Sequence, residues 1–386
     1  MLRAALAGVR GFLMRLGRAT VVANLCTIWQ TRSLDPVRRA WAASRGLAQH
    51  AAHAHAEEIA HGIDCRCFYT ENFYVSQPVE GHFTYNGPAE FREENADLLS
   101  SLGDATGEKL VSVLEAESRR RRDLVQLAVA RKRRIGAEYS RKHGDLWRLH
   151  ERWLHPDFLR LTEAARVAEA TGRSLDKFAT PPAIAEGVYA LQVFSQEFCA
   201  LLCDELDHFS ASGLPAGRPN SMNNAGVLLD ELGFSPDFLE PLLREYLRPL
   251  SSALPALASL GGAHLDHHKS FVVRYKMGED EELAAHYDNS EVTLNVNLGR
   301  EFLGGELVFY GPKEDRSASV SAYHEWSRRG VGHGVLHIGR QVHAALPIAH
   351  GERLNFVMWL RSSTQRSITG CPMCDQTDRL LTRNIM

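Results

Sequence analysis

Nowhere in the 386 residues does an apolar run reach the roughly 18 positions a membrane-spanning helix needs, and arginine interrupts the hydrophobic stretches near the N-terminus. An excess of one charge is lacking as well. The net charge of -3 provides no overall basic field for a nucleic-acid backbone. Cysteine is sparse: seven in a chain of this length do not make a disulfide scaffold. Four of them are paired locally, as Cys65-Arg66-Cys67 and Cys371-Pro372-Met373-Cys374, spacings that suit reduced thiols or a metal clip. What remains is an ordinary soluble composition, 44% hydrophobic and 24% charged, long enough for one large domain with an N-terminal extension or for two domains.

The first acidic residue is Asp35, while arginine stands at positions 3, 10, 15 and 18. An arginine-rich, acid-free, amphipathic leader over residues 1–34 has the composition of an organellar (mitochondrial) transit peptide; a disordered extension or a misplaced start codon would look the same. Without such an address the chain would be cytoplasmic or nuclear. Residues 1–50 are therefore set apart from the fold. Residues 51–185 read as mostly helical, with few glycines between about 105 and 170 and two basic blocks, Arg119–Arg122 and Arg131–Arg134. Acidic neighbours Glu115, Glu117 and Asp123 make the first block a solvated helix face rather than an RNA-binding patch.

A further helix is predicted after Ser195, a capping residue, with Phe198, Leu201, Leu202, Leu206 and Phe209 forming one buried stripe. Cys199 and Cys203 fall on the same apolar helix and read as core. Gly213–Asn224 (GLPAGRPNSMNN) is a loop by composition, either a substrate or lid segment or an ordinary connection. Another helix is expected over about 235–257. After Gly261-Gly262 the texture changes to short strand-like segments: SFVVRYKMG, EVTLNVNLG, GGELVFYG, GVLHIG and LNFVMWLRSS. Strands in succession without helices between them indicate an all-β sandwich or barrel. The catalytic domain is placed at 186–365, and a cysteine-containing tail at 366–386.

The chemistry centres on Ala285-His286-Tyr287-Asp288-Asn289. In extended chain, positions i and i+2 project to the same side, so His286 and Asp288 can offer an imidazole and a carboxylate to one ion. His343, in GRQVHAALP, follows Asp288 by 55 positions, room for three or four short strands that cross a sandwich and return. Two histidines and a carboxylate form the facial triad of non-haem iron, which leaves coordination positions open, unlike a closed structural zinc site. His324, His333, His337 and His350 are rivals for the second histidine, His337 foremost because it lies in a strand-like segment. Arg353 lies ten positions after His343. A buried guanidinium beside an open iron site needs an anion, and the distal carboxylate of 2-oxoglutarate fits, its keto-acid end chelating the metal.

Here the sequence resembles a known family. The run SFVVRYKMGEDEELAAHYDNSEVTLNVNLGREFLGGELVFY at 270–310 is similar to the catalytic core of procollagen lysyl hydroxylases and the wider prolyl-4-hydroxylase-type Fe(II)/2-oxoglutarate oxygenases. HAALP and GER match their second ligand histidine and co-substrate arginine. The likeness also takes in CRCFYTENFYV at 65–75, GRPNSMNNAGVLLDELG at 217–233 and the terminal CPMC, covering about 65–375 and patchy between 80 and 185.

The resemblance implies a helical N-terminal region on a double-stranded β-helix, an α+β architecture of the jelly-roll, cupin-like type. It implies His286, Asp288 and His343 as iron ligands and, from the spacing to Arg353 and the following proline, favours His343 over its rivals. It implies Arg353 as the 2-oxoglutarate anchor, Tyr275 as a second co-substrate contact, L-ascorbate as helper, O2 as oxidant, and a protein or peptide as substrate. A catalytically degenerate oxygenase serving as a binding module is the alternative; nucleic acid is not expected as substrate. Cys65, Cys67, Cys371 and Cys374 could meet as a structural zinc site. HAALP departs from lysyl hydroxylases, which carry bulkier polar residues there, and this leaves substrate recognition open.

Overall fold

The computed structural model describes residues 73–369 apart from 174, 176–179, 315–319, 321 and 327–329. These all belong to one unit, 58–386. The transit segment and the four paired cysteines lie outside the described residues.

The chain opens with a small hairpin, β1 (Phe73–Val75) and β2 (Gly81–Phe83), followed by helices α1 (Pro88–Glu94), α2 (Ala96–Leu102) and the long α3 (Asp104–Glu138). Phe73, Tyr85 and Phe91 meet Leu110, Val111 and Leu114 of α3 in a separate small core. Most residues of the basic blocks on α3 are ion-paired: Arg120 and Arg121 hold Glu117 at 2.7 and 2.9 Å, and Arg134 holds Glu138 at 3.1 Å. Arg131 and Lys132 reach across to Glu231 and Asp230, each at 2.6 Å. The helical run expected over 105–170 is broken after Glu138 by an irregular stretch that buries Trp147 and Trp153 before α4 (Pro156–Thr171). Among the described residues no helix is long and apolar enough to cross a membrane.

Two strands then appear that the sequence reading did not anticipate, β3 (Ala183–Ala185) and β4 (Val188–Gln192). Helix α5 (Gln196–Ala211) starts as expected, the Ser195 hydroxyl accepting from the Phe198 amide at 3.2 Å, and it buries Phe198, Cys199, Leu202, Leu206 and Phe209. Strand β5 (Gly226–Leu228) and a helical stretch from Ser235 to Ala258, partly wound as π-helix, complete the front half.

The remaining strands are β6 (His267–Lys276), β7 (Leu283–His286), β8 (Val292–Asn297), β9 (Phe302–Gly304), β10 (Leu307–Pro312), β11 (Ala322–His324), β12 (His333–Ile338), β13 (Gln341–Ala345) and β14 (Ile348–Arg361). The major sheet runs β3-β4-β12-β8-β14-β6-β5 and the minor sheet β11-β10-β13-β7, with every pairing antiparallel. Apart from β9, which pairs with β14, and the β10–β11 pair within the minor sheet, successive strands alternate between the sheets: β6, β8, β12 and β14 belong to the major sheet, β7, β10, β11 and β13 to the minor one. That winding is a double-stranded β-helix, and with the helices it makes the α+β fold the sequence implied.

Side-chain alternation divides the major sheet into two faces. Leu354, Phe356, Met358 and Leu360 of β14 join the large core shared with the helices. Val357 instead faces the space between the sheets, together with Phe271, Val273 and Tyr275 of β6. Strands that are apolar on both faces can be covered on both, and here helices cover one side and the minor sheet the other.

Candidate functional site

Between the sheets lies a cleft of about 360 Å³ including its open mouth, lined by His286, Asp288 and His343 at one part and by Tyr275, Asn220 and Asn223 at another. Three elements bring the ligand candidates together. His286 ends β7, and His343 is its direct cross-strand partner on β13, the two rings 4.3 Å apart centre to centre. Asp288 follows in the turn after β7, its amide fixed to the Gly339 carbonyl at 2.8 Å. One ligand atom from each of the three falls within 4.8 Å of the others. The Nε2 atoms of His286 and His343 stand 3.7 and 3.9 Å from the Asp288 carboxylate oxygens.

Hydrogen bonding decides which ring nitrogen faces inward. His286 Nδ1 lies 2.8 Å from the Ala284 carbonyl, and His343 Nδ1 lies 2.9 Å from the Gln341 carbonyl. A carbonyl only accepts, so Nδ1 of each ring carries a proton, and in the neutral ring Nε2 keeps the lone pair. Burial, then the neighbouring His343, pushes the His286 pKa down to about 4, so this imidazole is neutral at physiological pH. For Asp288, burial alone would raise the pKa; the surrounding imidazoles and a 2.7 Å hydrogen bond from the Thr293 hydroxyl outweigh it and hold the carboxyl below its ordinary value. A neutral His286 imidazole and an ionised Asp288 carboxylate are protonation states a divalent metal requires.

Of the rivals, only His337 comes close. It is fully buried on β12, donates Nδ1–H to the Ile338 carbonyl at 2.8 Å, and places Nε2 3.8 Å from Asp288 Oδ2. It stands against Asp288 but does not complete the mutual cluster that His343 joins. His324 and His333 stack on each other at 5.4 Å beside Trp326, and His350 is exposed.

Arg353 is 1% exposed and faces Tyr275 across β14 and β6. Its guanidinium carbon sits 4.2 Å from the centroid of the Tyr275 ring. Tyr275 lines the cleft, with the guanidinium packed over its ring. Nη1 donates to the Gly305 carbonyl, and Nε is buried without a hydrogen-bond partner. Gly305 has φ 71°, and a Cβ there would fall 2.7 Å from Arg353 Nη1, so the position requires glycine. Among the described residues no carboxylate pairs with this cation. Burial lowers the pKa of Arg353, whereas burial raises that of Tyr275. A desolvated, uncompensated cation is costly unless an anion joins it. The donor set thus fits a metal at the triad and a carboxylate ligand beyond it.

Comparison with known proteins points the same way. The model of the OGFOD2-like domain matches residues 135–257. Over 314 residues the chain is 41% identical to the 2-oxoglutarate and iron-dependent oxygenase domain-containing protein 2 of Xenopus tropicalis, an alignment covering 81% of this chain and 88% of that protein. It is 25% identical over 246 residues to the human multifunctional procollagen lysine hydroxylase and glycosyltransferase LH3, covering 56% of this chain and 28% of that one. Among solved structures it is similar to a Pseudomonas putida prolyl-4-hydroxylase, with a TM-score of 0.33 and 16% identity over 52% of this chain and 98% of that one. Given the extent and identity of the Xenopus match, the chain belongs to the family of 2-oxoglutarate and iron-dependent oxygenase domain-containing protein 2.

Proposed function

We propose that the chain is an active Fe(II)- and 2-oxoglutarate-dependent dioxygenase that hydroxylates a side chain of a protein or peptide. The observation that carries this reading is the triad itself: two histidine Nε2 atoms and an ionised carboxylate converge in a cleft also lined by Tyr275, whose ring packs against a buried arginine with no acidic partner among the described residues. His286, Asp288 and His343 would hold the iron. Tyr275 and Arg353 would receive the co-substrate. With O2 and 2-oxoglutarate, the ferrous centre supplies oxidative decarboxylation to succinate and CO2, one oxygen atom going to succinate and the other into a substrate C–H bond.

The chain's own residues do the positioning. The Ala284 and Gln341 carbonyls keep both imidazoles in the ligating tautomer, and Thr293 orients the carboxylate. Apolar walls from Phe271, Val273 and Val357 limit water in the cleft. The ion pairing of the basic blocks on α3 supports a protein or peptide over nucleic acid as substrate, as does the name of the lysine hydroxylase relative. Ascorbate belongs to this reading as the reductant that returns stray Fe(III) to Fe(II). The test is succinate release from 2-oxoglutarate with Fe(II), ascorbate and candidate peptides, scored together with peptide mass gain of one oxygen. Activity in the wild type that disappears in His286→Ala supports the reading. A binding module would take up 2-oxoglutarate and release no succinate under any condition.

A further inference from the structure

The loop that precedes β5 enters the cleft with two asparagines, Asn220 and Asn223. It is clamped to the turn after β6: Asp280 Oδ2 accepts from the Asn224 and Ala225 amides at 2.6 and 2.9 Å, and Oδ1 accepts from Asn224 Nδ2 at 2.9 Å. Within this loop the orientation of each side-chain amide is forced. Asn220 Oδ1 accepts two backbone N–H groups, from Met222 at 2.8 Å and from Asn223 at 2.7 Å. Because only an oxygen can do that, Asn220 Nδ2 is the atom 2.9 Å from the Asn223 side chain, and it must meet Asn223 Oδ1. Asn223 therefore turns its NH2 group the other way.

That NH2 group is anomalous. Asn223 is 1% exposed, yet its Nδ2 has no hydrogen-bond partner. The amide lies beside the Tyr275 hydroxyl and the Asp280 carboxylate, without a well-aligned bond to either. A buried unsatisfied donor costs free energy, so a group held in that state by its neighbours marks a place where an acceptor is missing. The Asn223 amide stands with two further donors, the Tyr275 hydroxyl and, over that ring, Arg353, whose Nε has no partner; the nearby Asp280 carboxylate already accepts three bonds from Asn224 and Ala225. Three donors, one of them on the buried Arg353 cation, fit a carboxylate better than a single amide carbonyl.

We propose that Asn223 is a 2-oxoglutarate-binding residue: its side-chain N–H groups, aimed by Asn220, hydrogen-bond a carboxylate of the co-substrate alongside Tyr275 and Arg353. This rests on the 2-oxoglutarate reading above and extends it, because the helical front half then supplies part of the co-substrate site. The test is calorimetric titration of 2-oxoglutarate into Mn(II)-loaded protein, which binds without turnover, with Mn(II) affinity measured separately as a check on the fold. Asn223→Ala is expected to bind 2-oxoglutarate about ten- to a hundredfold more weakly, as for loss of one hydrogen bond to a charged group. Asn223→Asp, which keeps the bond from Asn220 but replaces the donor with a carboxylate oxygen, is expected to lose more. Both should keep wild-type Mn(II) affinity. If wild type binds 2-oxoglutarate and Arg353→Ala weakens it, but both Asn223 variants bind within twofold of wild type, the inference is wrong and the functional reading stands. If the Asn223 variants impair only peptide hydroxylation, the inference is also wrong. Wild-type protein that binds no 2-oxoglutarate overturns the functional reading and the inference together.

Discussion

Replacing Arg353 with methionine should abolish the response to 2-oxoglutarate while leaving the fold nearly as stable as before. Three effects act on the unliganded protein. The variant loses the contact with the Tyr275 ring, ~0.5–2 kcal/mol for a cation over an aromatic face. It leaves the Gly305 carbonyl without its donor, ~1–3 kcal/mol. Against these, it removes a buried cation that has no acidic partner among the described residues, and relief of such a charge is several kcal/mol in the other direction. The net should fall within about 2 kcal/mol of zero. Co-substrate binding has no such offset. Two charge-assisted hydrogen bonds at ~1.5–3 kcal/mol each amount to ~3–6 kcal/mol, or roughly a hundredfold to ten-thousandfold in affinity. Denaturant unfolding of Mn(II)-loaded protein with and without 2-oxoglutarate reads both quantities at once. With co-substrate at a hundred times the wild-type Kd, wild type should gain about 2.7 kcal/mol and the variant no more than about 0.4 kcal/mol. A variant that gained as much as wild type would show that Arg353 does not bind the diacid. One that unfolded without ligand would show that the guanidinium is a structural group.

Thr293→Val keeps the shape of β8 and removes the hydrogen bond to Asp288, so Mn(II) affinity measured by electron paramagnetic resonance titration should fall about tenfold with little change in stability. Arg131→Met leaves Glu231, which is 3% exposed, without its bidentate partner, and should cost about 3 kcal/mol in urea unfolding. Burial, then the nearby Arg361, pushes Lys269 down to about 7, between the rings of Phe271 and Trp359. The unfolded chain therefore holds more protons than the folded one between about pH 7 and the ordinary lysine value near 10.4. Its buried charge weighs fully below pH 7 and is relieved as pH rises through that window. Lys269→Met should stabilise the protein at neutral pH, by an amount that shrinks to nothing near pH 10.5 in parallel unfolding titrations. A constant difference would contradict the burial argument.

How much of the site could be read from sequence follows from the range over which each relationship acts. The His286–Asp288 pair was legible because it is local: alternation over two residues survives even though β7 ends at His286 and Asp288 lies in the turn. The long strands β6, β8 and β14 were legible because valine, leucine and phenylalanine recur in them, although β14 begins six residues earlier than LNFVMWLR suggests. The strands that bring the histidines together were not. LAAH and QVHAA carry almost no β-branched residue, and their pairing, which sets His343 opposite His286, depends on register between segments 55 positions apart. Strands β3, β4 and β5 were missed for a related reason, since they lie in a helical context and join the major sheet at its edges.

The same distinction separates His337 from His343. Both sit on strands that flank one turn, both donate Nδ1–H to a backbone carbonyl, and both direct Nε2 toward Asp288. Local chemistry does not tell them apart. What does is that β12 belongs to the major sheet and β13 to the minor one, so only His343 stands beside His286, while His337 meets Asp288 from the opposite sheet. Asn223 follows the same logic: its asparagine-rich loop was visible as a loop, but the pairing of Gly226 with Val273 is what carries it to Tyr275. A sequence motif therefore specifies which side chains have the chemistry, and the two-sheet winding selects which of them meet. Because the helical front half supplies both β5 and the asparagine loop, a change that shifted the β5–β6 register by one residue should disturb the proposed co-substrate corner while sparing the proposed metal ligands, which are carried by β7, the turn after it and β13.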